Sequence, residues 1–269
     1  MFKKLIFITV LTLFLKSTFV LAGMTGSEDL SASKESSSAN ECFEGLSRAM
    51  FKFNYALDGA LFEPVAKGYR NIPLPIRKGT SNAVDNLRSL LTLTNNVLQG
   101  DLQGAGNTVA RFAINTTAGI LGFFDPASHL GFEKRGKEDF GQTLGAWGGE
   151  SGCYFVLPIL GPTTARDAIG LVGNMFLDPV YHITHNKDMD FGIGNESYSE
   201  HNYFYYRTTG AIDFRAKNIE SFDSLEKNSI DLYASIKSLY LQDRNKKILN
   251  SKDSVETQDD GDWEEIDNN

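Results

Sequence analysis

Apolar residues recur at intervals of three and four over most of residues 42–249, a period that predicts helices. In 42–69, Phe43, Leu46, Met50, Phe53 and Leu57 share one stripe, while Phe51 and Tyr55 lie off it. This helix is greasy on more than one side. It fits either a helix deep in a core or one with protein on one face and lipid on another. Pro73 and Pro75 forbid its continuation and predict an extended link over 70–79. The next helix, 81–105, carries Ala83, Val84, Leu87, Leu90, Leu91, Val97 and Leu98 on one face. Its other face carries Asp85, Ser89, Thr92, Asn96 and Gln99, which apart from Asp85 is neutral and polar. An ordinary solvent face mixes in more Lys and Glu. A helix over 106–128 repeats the arrangement, with Val109, Phe112, Thr116 and Ile120 against Asn107, Arg111 and Asn115. Such stripes suit either amides facing water or a polar lining inside a helical assembly.

Residues 140–170 differ in texture. Five glycines crowd around Trp147, and "CYFVLPILGP" is a short buried or membrane-touching run, far below spanning length. Thr164 with Asp167 predicts an N-terminal helix cap, and Asp178-Pro179 ends the helix that follows. Residues 186–204 read as turns and loop. The last element is a long amphipathic helix over 221–249, with Phe222, Leu225, Leu232, Ile236, Leu239 and Tyr240 on its stripe. Strand signals are few, so the fold class is mostly α.

The ends of the chain change this picture. Lys3 and Lys4 precede an apolar run over 5–15, and Val20 and Ala22 are small residues ahead of a cut, which together predict a secretory signal peptide over 1–22. Met24 stands where a bacterial lipoprotein signal would place Cys, so export without acylation is the expectation. Residues 23–40 read as a disordered linker and 251–269 as a disordered acidic tail. The tail holds eight acids and one Lys. The leader holds three Lys and no acids, and with the linker also removed the domain over 41–250 carries only −2. There is no basic stripe for nucleic acid. Export permits a disulfide between Cys42 and Cys153, though sequence leaves open whether they meet.

No constellation asks for an enzyme, cofactor or metal. Of the four histidines, His182 and His185 could share a helix face, but no Cys or Glu completes a ligand set. The glycines around Trp147 form neither a phosphate loop nor a dinucleotide fingerprint, and "GESGC" is not a nucleophile elbow. Glu138 and Asp139 read as a solvated turn rather than an acid–base pair.

The segments "FEGLSRAMFKFNYALD", "NLRSLLTLTNNVLQG", "RFAINTTAGILGFFDPAS", "FGQTLGAWGGESGCYFVLPILGPTTARDAIG" and "YLQDRNKKI" together resemble the MlaA family, also called VacJ, in the family's order over 42–250. The resemblance implies a ring-like helical domain in the inner leaflet of the outer membrane, enclosing an amphipathic channel. Through it, misplaced phospholipids would leave the outer leaflet and reach an MlaC-like periplasmic carrier, with a trimeric porin holding the ring. By that resemblance Phe51, Phe53 and Asn54 border the channel. Thr92, Asn96, Arg111 and Asn115 belong to polar stripes that suit its lining. Residues 119–140 correspond to a mobile gating hairpin, with Gly119, Gly122 and Gly131 as hinges and Phe123 and Phe124 facing acyl chains. Two other readings stay open: a soluble periplasmic binding or scaffold protein that has lost the membrane role, and a periplasmic hydrolase using Ser151 or His182.

Overall fold

The computed structural model describes residues 40–185 and 200–249. The expected leader, the linker up to residue 39, residues 186–199 of the expected loop and the acidic tail lie outside the described residues. The first helical segment is α1, Glu44–Leu57, then a π-helical turn over Asp58–Phe62, then α2, Glu63–Arg70. Pro64 sits in the first turn of α2. Inside an uninterrupted α-helix its ring would clash with the preceding turn, and the widened turn relieves this. The extended link expected over 70–79 shrinks to a few residues, because Pro73 caps and Pro75 opens α3, Leu74–Gln99. A first turn has no use for the missing N–H, so the prolines start a helix instead of holding a linker.

The break expected at 105–106 falls at 100–101. Gly100 is left-handed (φ 78°), and the Asp101 side chain accepts a bond from the Gly104 N–H at 2.8 Å, starting α4, Leu102–Thr117. The chain then reverses through Ile120 and Leu121, both left-handed (φ 53° and 56°), and Gly122 (φ 87°). The helix expected to 128 therefore ends at Thr117, and α5 is a single turn, Pro126–His129. Asp139 caps α6, Phe140–Ala146. The run "CYFVLPILGP" is a hairpin of β1, Tyr154–Leu157, and β2, Gly161–Thr164, with Ile159 and Leu160 exposed at its tip. As expected, the Thr164 hydroxyl caps α7, Ala165–Leu177, which ends before Asp178-Pro179. α8 is Pro179–His185. α9, Glu200–Lys217, overturns the loop reading of 200–204; its aromatics show no clear apolar period. The long helix expected over 221–249 is two: α10, Ile219–Asn228, and α11, Leu232–Ile248, the second capped by Asp231.

Contacts between elements close a circuit. α1 packs on the hairpin, the hairpin on α11, α11 on α6, α6 on α3, α3 on α9, and α9 on α2, which returns to α1 through the π-turn. α4 lies along α3 and α7 along α6. The joints are largely polar. A disulfide links Cys42 to Cys153 beside α1, with Cα atoms 5.5 Å apart. The Asn54 amide donates to Leu157 O (2.8 Å) and accepts from the Ile159 N–H (2.7 Å), clasping the hairpin turn. Arg244 of α11 donates to Asp139 (2.6 Å) and Asp167 (2.8 Å), tying it to α6 and α7. Arg215 of α9 forks onto Asp58 in the π-turn. Thr143 of α6 donates to Asn95 of α3 at 2.8 Å.

Burial follows the same inversion. Among the described residues, nineteen polar side chains are buried against ten apolar ones, and large apolar side chains crowd the exposed set. On α3, Asn86, Thr92, Asn95 and Asn96 are buried, while Leu87 and Val97 are exposed. On α7, Arg166 and Asp167 are buried, while Ile169, Val172, Met175 and Phe176 are exposed. A water-soluble globule buries its apolar face; these helices turn theirs outward. Apolar packing is local, chiefly Tyr154, Val156 and Tyr233 with Met50 and Phe51, and a second patch of Ala66, Ala216 and Ile219.

Candidate functional site

Polar faces of α3 and α4, crossed by residues 132–137, enclose a cleft of about 70 Å³. That is room for a few water-sized groups. Uncharged amides belong to its lining: the Asn86 amide donates to Thr116 Oγ1 at 2.8 Å, and the Asn115 amide donates to Asp125 (2.8 Å) while accepting from the Ala127 N–H (3.0 Å). Charged groups complete it. Arg111 donates to Asp125 (2.7 Å) and to Phe132 O (2.5 Å). Asp85 faces two ammonium groups, Lys137 at 2.7 Å and Lys134 at 3.4 Å. Arg135 reaches Asp101 at 3.3 Å.

The charges respond to these neighbours. Burial pushes the Asp85 carboxyl up, but Lys137 and Lys134 outweigh it and hold the group below its ordinary range. Burial likewise opposes, and Ser128, Arg111 and Asn115 outweigh it, at Asp125. At the end of the crossing segment Glu138 behaves oppositely. Burial pushes its carboxyl to about 7, Gln99 donates to it at 2.9 Å, and the neighbouring Asp139 charge adds to the rise. The reading of Glu138 and Asp139 as a solvated turn is therefore overturned. Asp139 caps α6 and pairs with Arg244, which holds it well below the carboxylate range despite burial.

Of the residues expected at a channel, Thr92, Arg111 and Asn115 line this cleft. Asn96 does not; its amide is buried against Thr108 Oγ1 at 3.2 Å, between α3 and α4. Phe51 packs edge-on to Tyr233 in the apolar cluster, with ring centroids 5.6 Å apart. Phe53 is exposed on the outer face, and Asn54 is spent on the hairpin turn. Gly122 and Gly131 are left-handed, as turn glycines. Gly119 is not: a Cβ there would stand 2.4 Å from both Asn115 O and Phe124 O, so it serves a close approach. Phe123 is turned inward onto Gly79, where a Cβ would stand 2.1 Å from its ring, and Phe124 is exposed. The pairing of Asp85 with Lys134 and Lys137 was not anticipated, although the alternating charges of 133–139 are a visible signal.

Among the described residues His182 and His185 are engaged with near neighbours. The His182 ring meets Phe176 O at 2.7 Å, and His185 stacks on Tyr181 at 4.0 Å. The side chain of His201 lies outside the described residues. Among the described residues no cluster of His, Cys, Asp or Glu is placed to hold a metal.

Fold and cleft together define a class: an inside-out helical domain, polar within and apolar without, carrying a mixed-charge cleft. The family model described as MlaA lipoprotein matches residues 39–247, and the chain belongs to that family. It is 32% identical over 257 residues to the intermembrane phospholipid transport system lipoprotein MlaA of Haemophilus influenzae, covering 92% of this chain and 95% of that one. The Escherichia coli protein of the same name is 32% identical over 203 residues, 74% of each chain. An uncharacterised protein of Rickettsia typhi is 36% identical over 198 residues, 73% of each chain. A solved structure, described as the structural basis for maintenance of bacterial outer membrane lipid asymmetry, superposes with a TM-score of 0.65 at 29% identity, covering 78% of this chain and 99% of that one.

Proposed function

We propose that this protein is the outer-membrane component of a phospholipid transport system. It takes misplaced phospholipids from the outer leaflet and hands them to a soluble periplasmic carrier, so preserving lipid asymmetry. The observation that carries the reading is the inverted burial, polar inside and apolar outside. In lipid, apolar burial supplies little drive between helices, and polar bonds act as the glue. Joints built from Arg244, Arg215, Asn54 and Thr143 suit that medium. Among the described residues no helix is long and apolar enough to cross a membrane. We place the domain in the inner leaflet of the outer membrane, where a trimeric porin and an MlaC-like carrier are its expected partners.

The task needs no covalent chemistry. Exposing a lipid chain to water costs about 0.8 kcal/mol per methylene, on the order of 20 kcal/mol for a diacyl lipid of roughly 30 methylenes. A ring with a wet side and an oily side lowers that barrier by geometry. Thr92, Arg111 and Asn115 are the proposed headgroup lining, and residues 119–140 the proposed gate. Deleting the gene should raise phospholipid in the outer leaflet and detergent sensitivity, both restored by the intact gene. Unchanged surface phospholipid in a clean deletion refutes the assignment.

A further inference from the structure

The segment that crosses the cleft is fastened to α3 at its far end by Glu138. The Glu138 N–H donates to Thr92 Oγ1 at 3.4 Å, and its carboxyl accepts from the Gln99 amide at 2.9 Å. The same amide reaches Thr143 Oγ1 at 3.2 Å, and Thr143 donates in turn to Asn95. Glu138 is thus half-buried in a network of neutral partners between α3 and α6. Among the described residues, Gln142 Oε1 is a buried acceptor without a partner one turn further on. Its Nε2 donates to Lys137 O at 3.0 Å, which keeps that side chain beside Glu138. A protonated carboxyl brings the O–H donor that this place lacks.

The charges around Glu138 oppose its ionisation or are engaged elsewhere. Asp139 at the start of α6 and Asp101 after α3 are acids of the same sign. Arg244 of α11 is the nearby cation, but its guanidinium donates four bonds to Asp139 and Asp167. Arg166 of α7 also pairs with Asp167. On the segment itself Arg135 pairs with Asp101, and Lys134 and Lys137 with Asp85. An ionised Glu138 would therefore set a second negative charge beside Asp139, with an amide in place of a counter-ion. Burial raises its carboxyl to about 7, with Gln99 opposing and Asp139 adding to the rise. Lifting the segment off α3 returns the group to water and to its ordinary range near 4.5.

Resting on the gating role proposed for residues 119–140, we propose that Glu138 is a proton-operated latch: protonated, it fastens the crossing segment to α3 over the cleft, and ionised, it lets that segment lift. The proton binds more tightly to the fastened form. Fastening is therefore favoured at low pH and is lost as pH rises through about 7. With values of about 7 fastened and 4.5 lifted, the opening equilibrium rises about tenfold between pH 6 and 8.

The test is hydrogen–deuterium exchange of the purified full chain in non-ionic detergent at pH 6 and 8. Mass spectrometry reads peptides over 132–142 and 165–177, corrected for the intrinsic pH dependence of exchange. Protection over 132–142 should be lower than over α7 at both pH values, because a segment lifts more easily than a domain unfolds. It should fall about tenfold from pH 6 to 8. Glu138→Gln, which keeps an acceptor for Gln99 and cannot ionise, should hold it constant within twofold. His129→Asn changes the one histidine of 119–140 and should leave the tenfold fall in place. A parent profile flat within twofold overturns the latch. So does a Glu138→Gln profile that falls like the parent's, or a His129→Asn profile that no longer falls. Equal protection over the two peptides means that the domain opens only as a whole, which also overturns it. If Glu138→Gln does not fold, the parent and His129→Asn decide between them. No lipid enters this assay, so its failure leaves the transport reading standing, and that reading falls separately if the gene deletion leaves surface phospholipid unchanged.

Discussion

Removing the Cys42–Cys153 bond tests how the circuit is held shut. The cysteines are 111 positions apart, so the bond closes half the domain into a loop. For a loop of that length the chain-entropy model gives about 5 kcal/mol of stabilisation, against a usual range of about 2–4. Contacts that survive reduction lower the figure. Tyr154 N–H still reaches Asn40 O (2.9 Å), Lys237 still pairs with Glu41, and the Asn54 clasp remains. We expect Cys42→Ser with Cys153→Ser to cost about 3–5 kcal/mol. At roughly 2–4 °C per kcal/mol for a domain of this size, the melting midpoint should fall by about 6–20 °C. Thermal unfolding of parent and double variant, each with and without reductant, measures it. Reductant should lower the parent to the level of the double variant and leave the variant unmoved. A double variant melting within about 2 °C of the oxidised parent refutes the reasoning, because the α1–hairpin joint would then be closed by its hydrogen bonds alone.

Arg244→Met leaves Asp139 and Asp167 buried without their shared cation, and should cost about 3–5 kcal/mol by denaturant titration. Arg244→Lys, lacking the planar fork, should recover only part of it. Gly170→Ala would place a Cβ 2.4 Å from Gly141 N, where α6 and α7 cross, and should cost at least about 2 kcal/mol. Gly106→Ala in α4 meets nothing within 4 Å and should be neutral or slightly stabilising in the same assay. Glu138 titrates near 7 in the fold, above its ordinary value of 4.5, so the folded state keeps its proton longer than the unfolded one. Its contribution is therefore most favourable below about pH 4.5 and falls by up to about 3 kcal/mol as pH rises through 7. Glu138→Gln should flatten that decline in melting midpoint between pH 5 and 8, and an unchanged slope would count against it.

Local features were legible in the sequence because they depend on near neighbours. The period of three and four identified α1, α3, α4 and α7, Thr164 announced its cap, and Asp178-Pro179 its stop. The polar stripes of two successive helices were visible, and Thr92 from the first and Arg111 and Asn115 from the second line the cleft. α9 was missed because its aromatics follow no clear stripe, and α10 and α11 were joined because apolar residues from Phe222 to Tyr240 keep helix-like spacings in the sequence across the break at Ser229–Asp231. A period reveals two faces but not which one turns inward. That Asn95 and Asn96 are buried while Val97 is exposed was decided by packing, since each polar group there finds a partner across a joint. The partners themselves lie far apart in the chain: Asp139 and Arg244 are separated by 105 positions, Cys42 and Cys153 by 111. Sequence alone determined the helices and their stripes, through local sterics and hydrogen bonding. The direction of those stripes, the closure of the circuit and the pairing of Asp85 with Lys134 and Lys137 came only with the tertiary structure, because each depends on groups that meet only once the chain has folded.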